Sequence, residues 1–489
     1  MYLVAGLGLT GQSVLRHLQG LGLPCLAFDT REALDLSDLQ QQFPQVSFAT
    51  GRLPADWVQQ FETLVLSPGI AQTEPWVAEL KALGKAVIGD IELFAQAVNQ
   101  KGKQSVIGIT GSNGKSTVTT LVAEFLKQAG YAVAMGGNIG TPALDLLQED
   151  GVEVFVLELS SFQLETTHSL KTQACTILNI SEDHMDRYAA LADYMAAKSR
   201  LLMDTQLAVL PEDVQLIQKL LAFVSQPLKK VIRFGLTPPE LEAYGVCSLE
   251  GDRFLARKLD SEKGVETLVA VSKMALQGAH HQLNALAAMA LTTDFEIPLN
   301  VYQQVLAQFQ GLPHRTQSVA EIQGVLCVND SKGTNVGATV TAIESFVPMA
   351  EDRQGGVILL AGGVGKEADF SPLQAAAMKC KQVILFGQDA EIIAQALQGE
   401  QDRESHSQKF QVSKAAKTLS KSPAPLAIYK VQTLDQAVQQ ALELAQAGDI
   451  VLFSPACASF DQFANYQARG EAFAQIVKAL AEQEEGACH

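Results

Sequence analysis

Along the 489 residues, short continuous apolar runs alternate with longer stretches in which apolar residues recur every three or four positions. The runs at 3–5, 64–66, 106–109, 154–157, 357–360, 383–386 and 450–453 are too short for helices, and several pass straight into glycine. A run that is apolar throughout, rather than alternating, suits a strand covered on both faces. The intervening helical period suits a helix packed on one side. Together they predict an α/β fold of parallel sheets joined by crossover helices. Three separate strand–glycine–helix starts appear, near residues 6, 108 and 362, and each can open its own doubly wound sheet. The pattern therefore predicts three domains, 1–93, 94–312 and 313–489. The cuts fall after Gly89-Asp90-Ile91-Glu92-Leu93 and at Gly311-Leu312-Pro313.

Composition narrows the class without naming a reaction. Hydrophobic residues at 47% and charged residues at 18% exclude a largely disordered chain. No run approaches the length of a membrane span, and Met1-Tyr2-Leu3-Val4-Ala5 lacks the basic start of a secretory signal, so a cytoplasmic protein is expected. The 36 basic and 53 acidic residues leave a net charge of −17, which argues against a general nucleic-acid or anionic-membrane binder. It leaves room for a local basic pocket. Seven cysteines at 25, 175, 247, 327, 380, 457 and 488, with no CxxC, read as reduced thiols. The stretch 399–425 differs in composition. It carries Glu404-Ser405-His406-Ser407, then Lys409, Lys414, Lys417 and Lys421, and ends Ser422-Pro423-Ala424-Pro425. It reads as a surface insertion or flexible loop, with a basic recognition patch as the alternative.

Two glycine turns carry candidate chemistry. Gly6-Leu7-Gly8-Leu9-Thr10-Gly11 fits G-x-G-x-x-G between a strand and a helix, and Asp29 closes the next strand. Bare amides and a helix start meeting a pyrophosphate, with an acid for a ribose, make a dinucleotide fingerprint. A uridine-diphosphate sugar presents a pyrophosphate as well, and a tight turn without ligand is the plain alternative. A later turn, Ser67-Pro68-Gly69-Ile70, sits at another strand's carboxyl end.

The second turn, Gly108-Ile109-Thr110-Gly111-Ser112-Asn113-Gly114-Lys115-Ser116-Thr117, is a variant phosphate loop: strict Walker spacing would place glycine where Ile109 stands. Gly111 and Gly114 let amides turn toward phosphate oxygens, Lys115 reaches the outer phosphates, and the Ser116 hydroxyl can ligate Mg²⁺.

The loop Thr110–Thr117 resembles that of the Mur ligases, ATP-dependent amide-forming enzymes. So do Leu157-Glu158-Leu159-Ser160-Ser161-Phe162-Gln163-Leu164-Glu165 and Asn179-Ile180-Ser181-Glu182-Asp183-His184-Met185-Asp186-Arg187-Tyr188. Further on, Gly311-Leu312-Pro313-His314-Arg315, Asn329-Asp330-Ser331-Lys332 and Ser454-Pro455-Ala456-Cys457-Ala458-Ser459-Phe460-Asp461-Gln462-Phe463 keep the family's order, so the resemblance runs from Gly6 to Gly470.

The resemblance implies a Rossmann-like N-terminal domain for the uridine nucleotide, a central P-loop-type ATPase sheet, and a Rossmann-like C-terminal domain that closes over both. The first glycine turn then serves a uridine diphosphate rather than a dinucleotide. Leu9, Thr10, Asp29, Thr30, Arg31, Ser67, Pro68 and Gly69 would hold it, and Asn138 and Gln163 would contact the sugar-peptide part. ATP would lie on Gly111, Ser112, Asn113, Gly114, Lys115, Ser116 and Thr117, with Asn284 on the adenine, Arg315 on phosphate and Asp330 on the ribose. D-Glutamate would meet His314, Lys332, Thr334, Lys366, Ser459 and Phe460. Lys115, Glu158, His184 and Lys198 are the implied catalytic set, and two Mg²⁺ ions are expected: one on Ser116 and Glu158, one on His184 and a carbamylated Lys198.

The implied reaction joins D-glutamate to the alanyl carboxylate of UDP-N-acetylmuramoyl-L-alanine through an acyl phosphate, in peptidoglycan precursor synthesis. The implied partners are small molecules, with no nucleic acid, no membrane and a monomeric chain. Two departures stand out. Val364 occupies a place where the family usually has an acid, and in His280-His281-Gln282-Leu283-Asn284 the second residue replaces an asparagine. Alternatives are a sister ligase adding another amino acid or acting on folate, an NAD(P)-dependent oxidoreductase, and a non-catalytic nucleotide-binding regulator. The oxidoreductase leaves Lys115, Glu158 and Lys332 without a task. The regulator has no need of Glu158, His184 and Lys198 together. The Asp-Asn-Pro-Arg motif of the diaminopimelate-adding sister is absent.

Overall fold

The computed structural model describes residues 1–398 and 426–487, so the 399–425 stretch lies outside the described residues. Three parallel-rich sheets bear out the α/β expectation. The first is wholly parallel, in the order β3-β2-β1-β4-β5. It contains β1 (Tyr2–Ala5), β2 (Cys25–Asp29), β3 (Ser47–Thr50), β4 (Thr63–Leu66) and β5 (Ala86–Ile88). Ala5 pairs with Phe28 on one side and Leu66 on the other, so the carboxyl ends of β1, β2 and β4 lie abreast. The Gly6 turn, residues 29–31 and the Ser67 turn leave the sheet together, which is where such sheets gather ligands.

The second sheet has the order β14-β13-β12-β11-β10-β9-β6-β8-β7. Its strands are β6 (Ser105–Thr110), β7 (Val133–Gly137), β8 (Val154–Glu158), β9 (Thr172–Ile177), β10 (Thr205–Pro211), β11 (Val231–Phe234), β12 (Ala243–Leu249), β13 (Asp252–Lys258) and β14 (Glu266–Ala270). Strand β6 lies between β8 and β9, with Ile109 opposite Glu158 and Thr176, and Glu158 is in turn opposite Gly137. The phosphate loop, Glu158 and Asn138 thus share one edge. In the antiparallel meander β12-β13-β14, the buried residues of β13 and β14 sit together mid-strand (Leu255-Ala256 and Leu268-Val269), with charge near the strand ends at Asp252-Arg253, Arg257-Lys258 and Glu266.

The third sheet has the order β15-β16-β20-β17-β18-β19, from β15 (Gln317–Ile322), β16 (Val325–Asn329), β17 (Val357–Gly362), β18 (Gln382–Phe386), β19 (Ala427–Lys430) and β20 (Ile450–Phe453). Only β15 runs antiparallel to its neighbour. Phe453 lies between Asn329 and Leu360, so the loops at 330–335, 363–366 and 454–460 emerge side by side.

The described chain forms two compact units. One comprises 1–180, 190–277 and 281–309; the other comprises 181–189, 278–280 and 310–489. Within the first unit, the helix Asp90–Lys101 buries Ile91, Leu93, Phe94 and Val98 in a core that also takes in Phe155, Leu157, Leu159 and Leu164 of the second sheet's surroundings. Phe94 meets Phe155 edge to face at 5.1 Å between centroids. Arg16 grips Asp145 with two hydrogen bonds, and Glu92 accepts the N–H groups of His168 and Ser169. The first two sheets are therefore joined by apolar burial as well as by polar ties.

Candidate active site

At the first turn, Asp29 is 3% exposed and acts as an internal anchor. It accepts the Leu7 N–H at 2.7 Å, the Arg31 N–H at 3.0 Å, and a forked pair from the Arg31 guanidinium at 2.8 Å each. Burial alone would raise its pKa. The Arg31 guanidinium and the two backbone donors outweigh that and bring it down to about 2. Leu9 projects with 77% exposure, and Thr10, Thr30, Arg31, Ser67, Pro68 and Gly69 are all open or half-open around the turn. The acid expected to meet a ribose thus spends its oxygens on shaping the loop.

The phosphate loop is folded on itself. Gly114, at φ +82°, starts the helix Lys115–Gln128, and a Cβ there would also sit 2.6 Å from the Asn284 Oδ1. The Lys115 amine donates to the carbonyls of Gly111 and Ser112, 2.8 Å each. The Ser116 hydroxyl donates to Glu158, and both side chains are buried. Glu158 also accepts from the Asn138 Nδ2 at 2.9 Å. A hydroxyl and a carboxylate in contact are hard oxygen donors of the kind Mg²⁺ takes, so these two residues fit that ion. Among the described residues no group of three His, Cys, Asp or Glu side chains is arranged to hold a metal.

Lys198, 1% exposed, lies behind the loop. Its amine donates to Thr110 Oγ1 at 3.2 Å and to the Gly111 carbonyl at 3.0 Å, and sits 4.5 Å from the Tyr194 ring centroid. Tyr194 in turn is 3.1 Å from Ser112 Oγ. Asn179 clamps the loop through Asn113, accepting its N–H at 2.8 Å and donating to its carbonyl at 3.1 Å. Neither Tyr194 nor Asn179 was singled out from the sequence, although Asn179 opens one of the long motifs. Gln163 is 3% exposed and caps its own helix: its Oε1 accepts from the Ser160 N–H and hydroxyl.

The second unit gathers the residues expected around D-glutamate. His184, with φ +60°, belongs to this unit, as do His314, Arg315, Asp330, Lys332, Thr334, Lys366, Ser459 and Phe460. Asp183 accepts the His184 N–H at 3.0 Å, the Lys366 amine at 3.2 Å and the Asn335 amide at 3.2 Å, tying three loops to one carboxylate. The Lys332 amine lies 4.5 Å from the Tyr466 ring centroid. Asp330 is buried, which raises its pKa to about 6, although Ser454 Oγ at 2.7 Å and the Thr316 N–H at 3.1 Å favour the charged form. Val364, where an acid was expected, exchanges backbone hydrogen bonds with Ala458 and so fixes the strand-like start of the Ser459 loop. Ser459 is buried, whereas Phe460 is 72% exposed. Arg469, missed by the sequence reading, is buried and donates to Ser331 Oγ, the Ser331 carbonyl and the Cys457 carbonyl, joining the two loops that precede Lys332 and Ser459. Its only sequence signal is a lone arginine in the Tyr466-to-Gly470 stretch.

A parallel-rich sheet whose inner strand β6 feeds a Lys-Ser phosphate loop, with a buried glutamate on the serine hydroxyl, defines a protein built to hold the phosphates of a nucleotide. Family models match the chain in succession: the Mur ligase MurD-like N-terminal domain over residues 1–89, the Mur ligase middle domain over 109–292, and the Mur ligase glutamate ligase domain over 314–457. The chain belongs to the Mur ligase family and is a ligase. It is 52% identical to the UDP-N-acetylmuramoylalanine–D-glutamate ligase of Hydrogenovibrio crunogenus, across 99% of both chains. It is 43% identical to the protein of that name from Pseudomonas aeruginosa, across 98% of both. Among solved structures, the MurF ligase from Thermotoga maritima in complex with ADP matches with a TM-score of 0.56 at 16% identity, covering 99% of this chain and 95% of that one. The UDP-N-acetylmuramate-alanine ligase from the same organism also gives 0.56 at 16% identity. These structural matches speak for the fold alone.

Proposed function

We propose that the chain uses ATP to join D-glutamate to the alanyl carboxylate of UDP-N-acetylmuramoyl-L-alanine. The observation that carries this reading is the Ser116–Glu158 contact, with Lys115 beside Ser116, at the ends of β6 and β8, in a chain 52% identical to a UDP-N-acetylmuramoylalanine–D-glutamate ligase. The first obstacle is electrostatic, since a carboxylate must approach a polyphosphate. The Lys115 amine, now spent on loop carbonyls, would turn to the outer phosphates, while Gly111 and Gly114 would let the loop backbone approach the inner ones closely. Mg²⁺, when bound, supplies positive charge that lets the two anions meet. Ser116 and Glu158 would hold one ion, and His184 and a carbamylated Lys198 are assigned to a second.

The alanyl carboxylate would attack the γ-phosphorus to give an acyl phosphate. The D-glutamate amine would then attack that carbonyl carbon and expel phosphate. Leu9, Thr10, Thr30, Arg31 and the Ser67 turn would position the uridine diphosphate, with Asp29 setting the loop. Asn138 and Gln163 would face the sugar-peptide part. Asn284, Arg315 and Asp330 would serve ATP. His314, Lys332, Thr334, Lys366, Ser459 and Phe460 would serve D-glutamate, where a lysine suits a carboxylate as a point charge. No helix among the described residues is long and apolar enough to cross a membrane, which accords with cytoplasmic work on soluble substrates.

The test is phosphate release from ATP with UDP-N-acetylmuramoyl-L-alanine and, in turn, D-glutamate, L-glutamate or L-lysine. Release that depends on D-glutamate is expected. Release that proceeds equally with L-lysine would assign the chain to a sister activity.

A further inference from the structure

Asp90 is a buried carboxylate with no part in the reaction as described so far. It is 3% exposed and opens the helix Asp90–Lys101. Its Oδ2 accepts a hydrogen bond from the Gln163 Nε2 at 3.1 Å, across 73 positions of sequence. The approach is close by construction: Gly89 donates its N–H to the Thr166 carbonyl, and a Cβ on Gly89 would lie 2.3 Å from Thr166 Oγ1. Any side chain at 89 would push Asp90 away from Gln163. Burial raises the Asp90 pKa to about 6, partly offset by Gln163 and by the N–H groups of Ile91 and Asp90.

The choice of acid matters for what Gln163 can offer. An ionised carboxylate only accepts, whereas an amide has one end that donates and one that accepts. Asp90 therefore forces the Nε2 end of Gln163 toward itself and leaves Oε1 to the Ser160 N–H and hydroxyl, each at 3.1 Å. Both lone pairs of Oε1 are then used, and among the described residues the second hydrogen on Nε2 is the unspent group of this amide. The same chain of contacts leads from Asp90 through Gln163 to Ser160, two residues beyond Glu158.

We propose that Asp90 is a positioning residue that locks the Gln163 amide as a hydrogen-bond donor, so that the substrate group recognised there is an acceptor, such as the carbonyl oxygen of an acetamido or peptide link. This rests on the reading of Gln163 as a contact of the sugar-peptide substrate, and the experiment separates the two. Steady-state kinetics on the full chain would compare Gln163→Met, Asp90→Leu and the double variant, with KM read separately for UDP-N-acetylmuramoyl-L-alanine, ATP and D-glutamate. Gln163→Met is expected to raise the KM for the uridine substrate about tenfold, with kcat and the other two KM values within about twofold. Asp90→Leu is expected to raise the same KM about fivefold, and the double variant to exceed Gln163→Met by less than about twofold, because both changes act through one contact.

If Gln163→Met leaves that KM unchanged, the substrate-contact reading fails and the proposal with it. If Gln163→Met raises it and Asp90→Leu does not, or the two effects multiply, the Asp90 proposal alone is overturned. Should Asp90→Leu fail to fold, Asp90→Asn keeps the volume and an acceptor but admits the flipped amide. Its expected KM increase is about threefold, and an unchanged value overturns the proposal.

Discussion

The two glycine turns of the first compact unit start alike: an inner parallel strand, a glycine bend, then a helix. They differ in where the charge is kept. At the Gly6 turn the fixed charge is an anion, Asp29, buried under the loop and satisfied by Leu7 and Arg31. At the Gly108 turn the fixed charge is a cation, Lys115, held on the loop's own carbonyls, with the anion Glu158 set on a neighbouring strand against Ser116. The first arrangement shapes a surface and leaves Leu9 and Thr10 facing outward. The second holds an amine on the loop's own carbonyls and sets a hydroxyl–carboxylate pair at the same strand ends. On the function proposed above, a shared backbone motif would serve recognition in one place and chemistry in the other, with side-chain charge deciding which.

That contrast can be broken by mutation. The largest effect belongs to Lys115→Ala, expected to lower kcat on the order of a thousandfold in the phosphate-release assay, since it removes a charge acting on the reacting phosphates. A loss below about tenfold would mean that the second turn is also mainly a shaping device. Next comes Glu158→Gln, which keeps the size and the Asn138 contact but weakens the oxygen donor. A loss of about a hundredfold in kcat is expected, recovered in part as Mg²⁺ is raised. At the first turn, Asp29→Ala should instead raise the KM for the uridine substrate about tenfold while kcat stays within about threefold. A kcat collapse there would erase the division of labour between the turns.

Much of this was legible in the sequence because the residues proposed to carry chemistry lie in contiguous motifs at strand ends. Apolar runs located β1, β4, β6, β8, β17, β18 and β20, and the glycines between strand and helix located the three loop clusters. Illegible were the partnerships made across sequence distance. Nothing local says that Asp29 reaches back to the Leu7 N–H, that Asp183 ties Lys366 and Asn335 to His184, or that Arg469 is buried on Ser331 and Cys457. Each depends on loops brought abreast by sheet order, and sheet order is a tertiary fact. The β12–β14 meander escaped for a different reason: in β13 and β14, charge near the strand ends leaves only a short apolar middle.

The smallest effect sharpens the comparison through pH. Asp29 has its folded pKa near 2, below the value of about 3.9 for an unfolded aspartate, so its contribution to stability is present above pH 4 and is lost as pH falls toward 2. Asp330, raised by burial to about 6, behaves in the opposite sense: its contribution is present below pH 4 and is lost as pH rises through 6. Thermal unfolding of Asp29→Asn and Asp330→Asn against the parent chain should separate the two signs. Asp29→Asn is expected to unfold a few degrees below the parent at pH 7 and to converge on it as pH falls to about 2. Asp330→Asn should gain on the parent by a few degrees between pH 4 and pH 7. If both variants shift in the same direction with pH, the carboxylate under the first turn is not held charged by Arg31 and the loop amides. The distinction between an anion-anchored turn and a cation-bearing one would then rest on Lys115 alone.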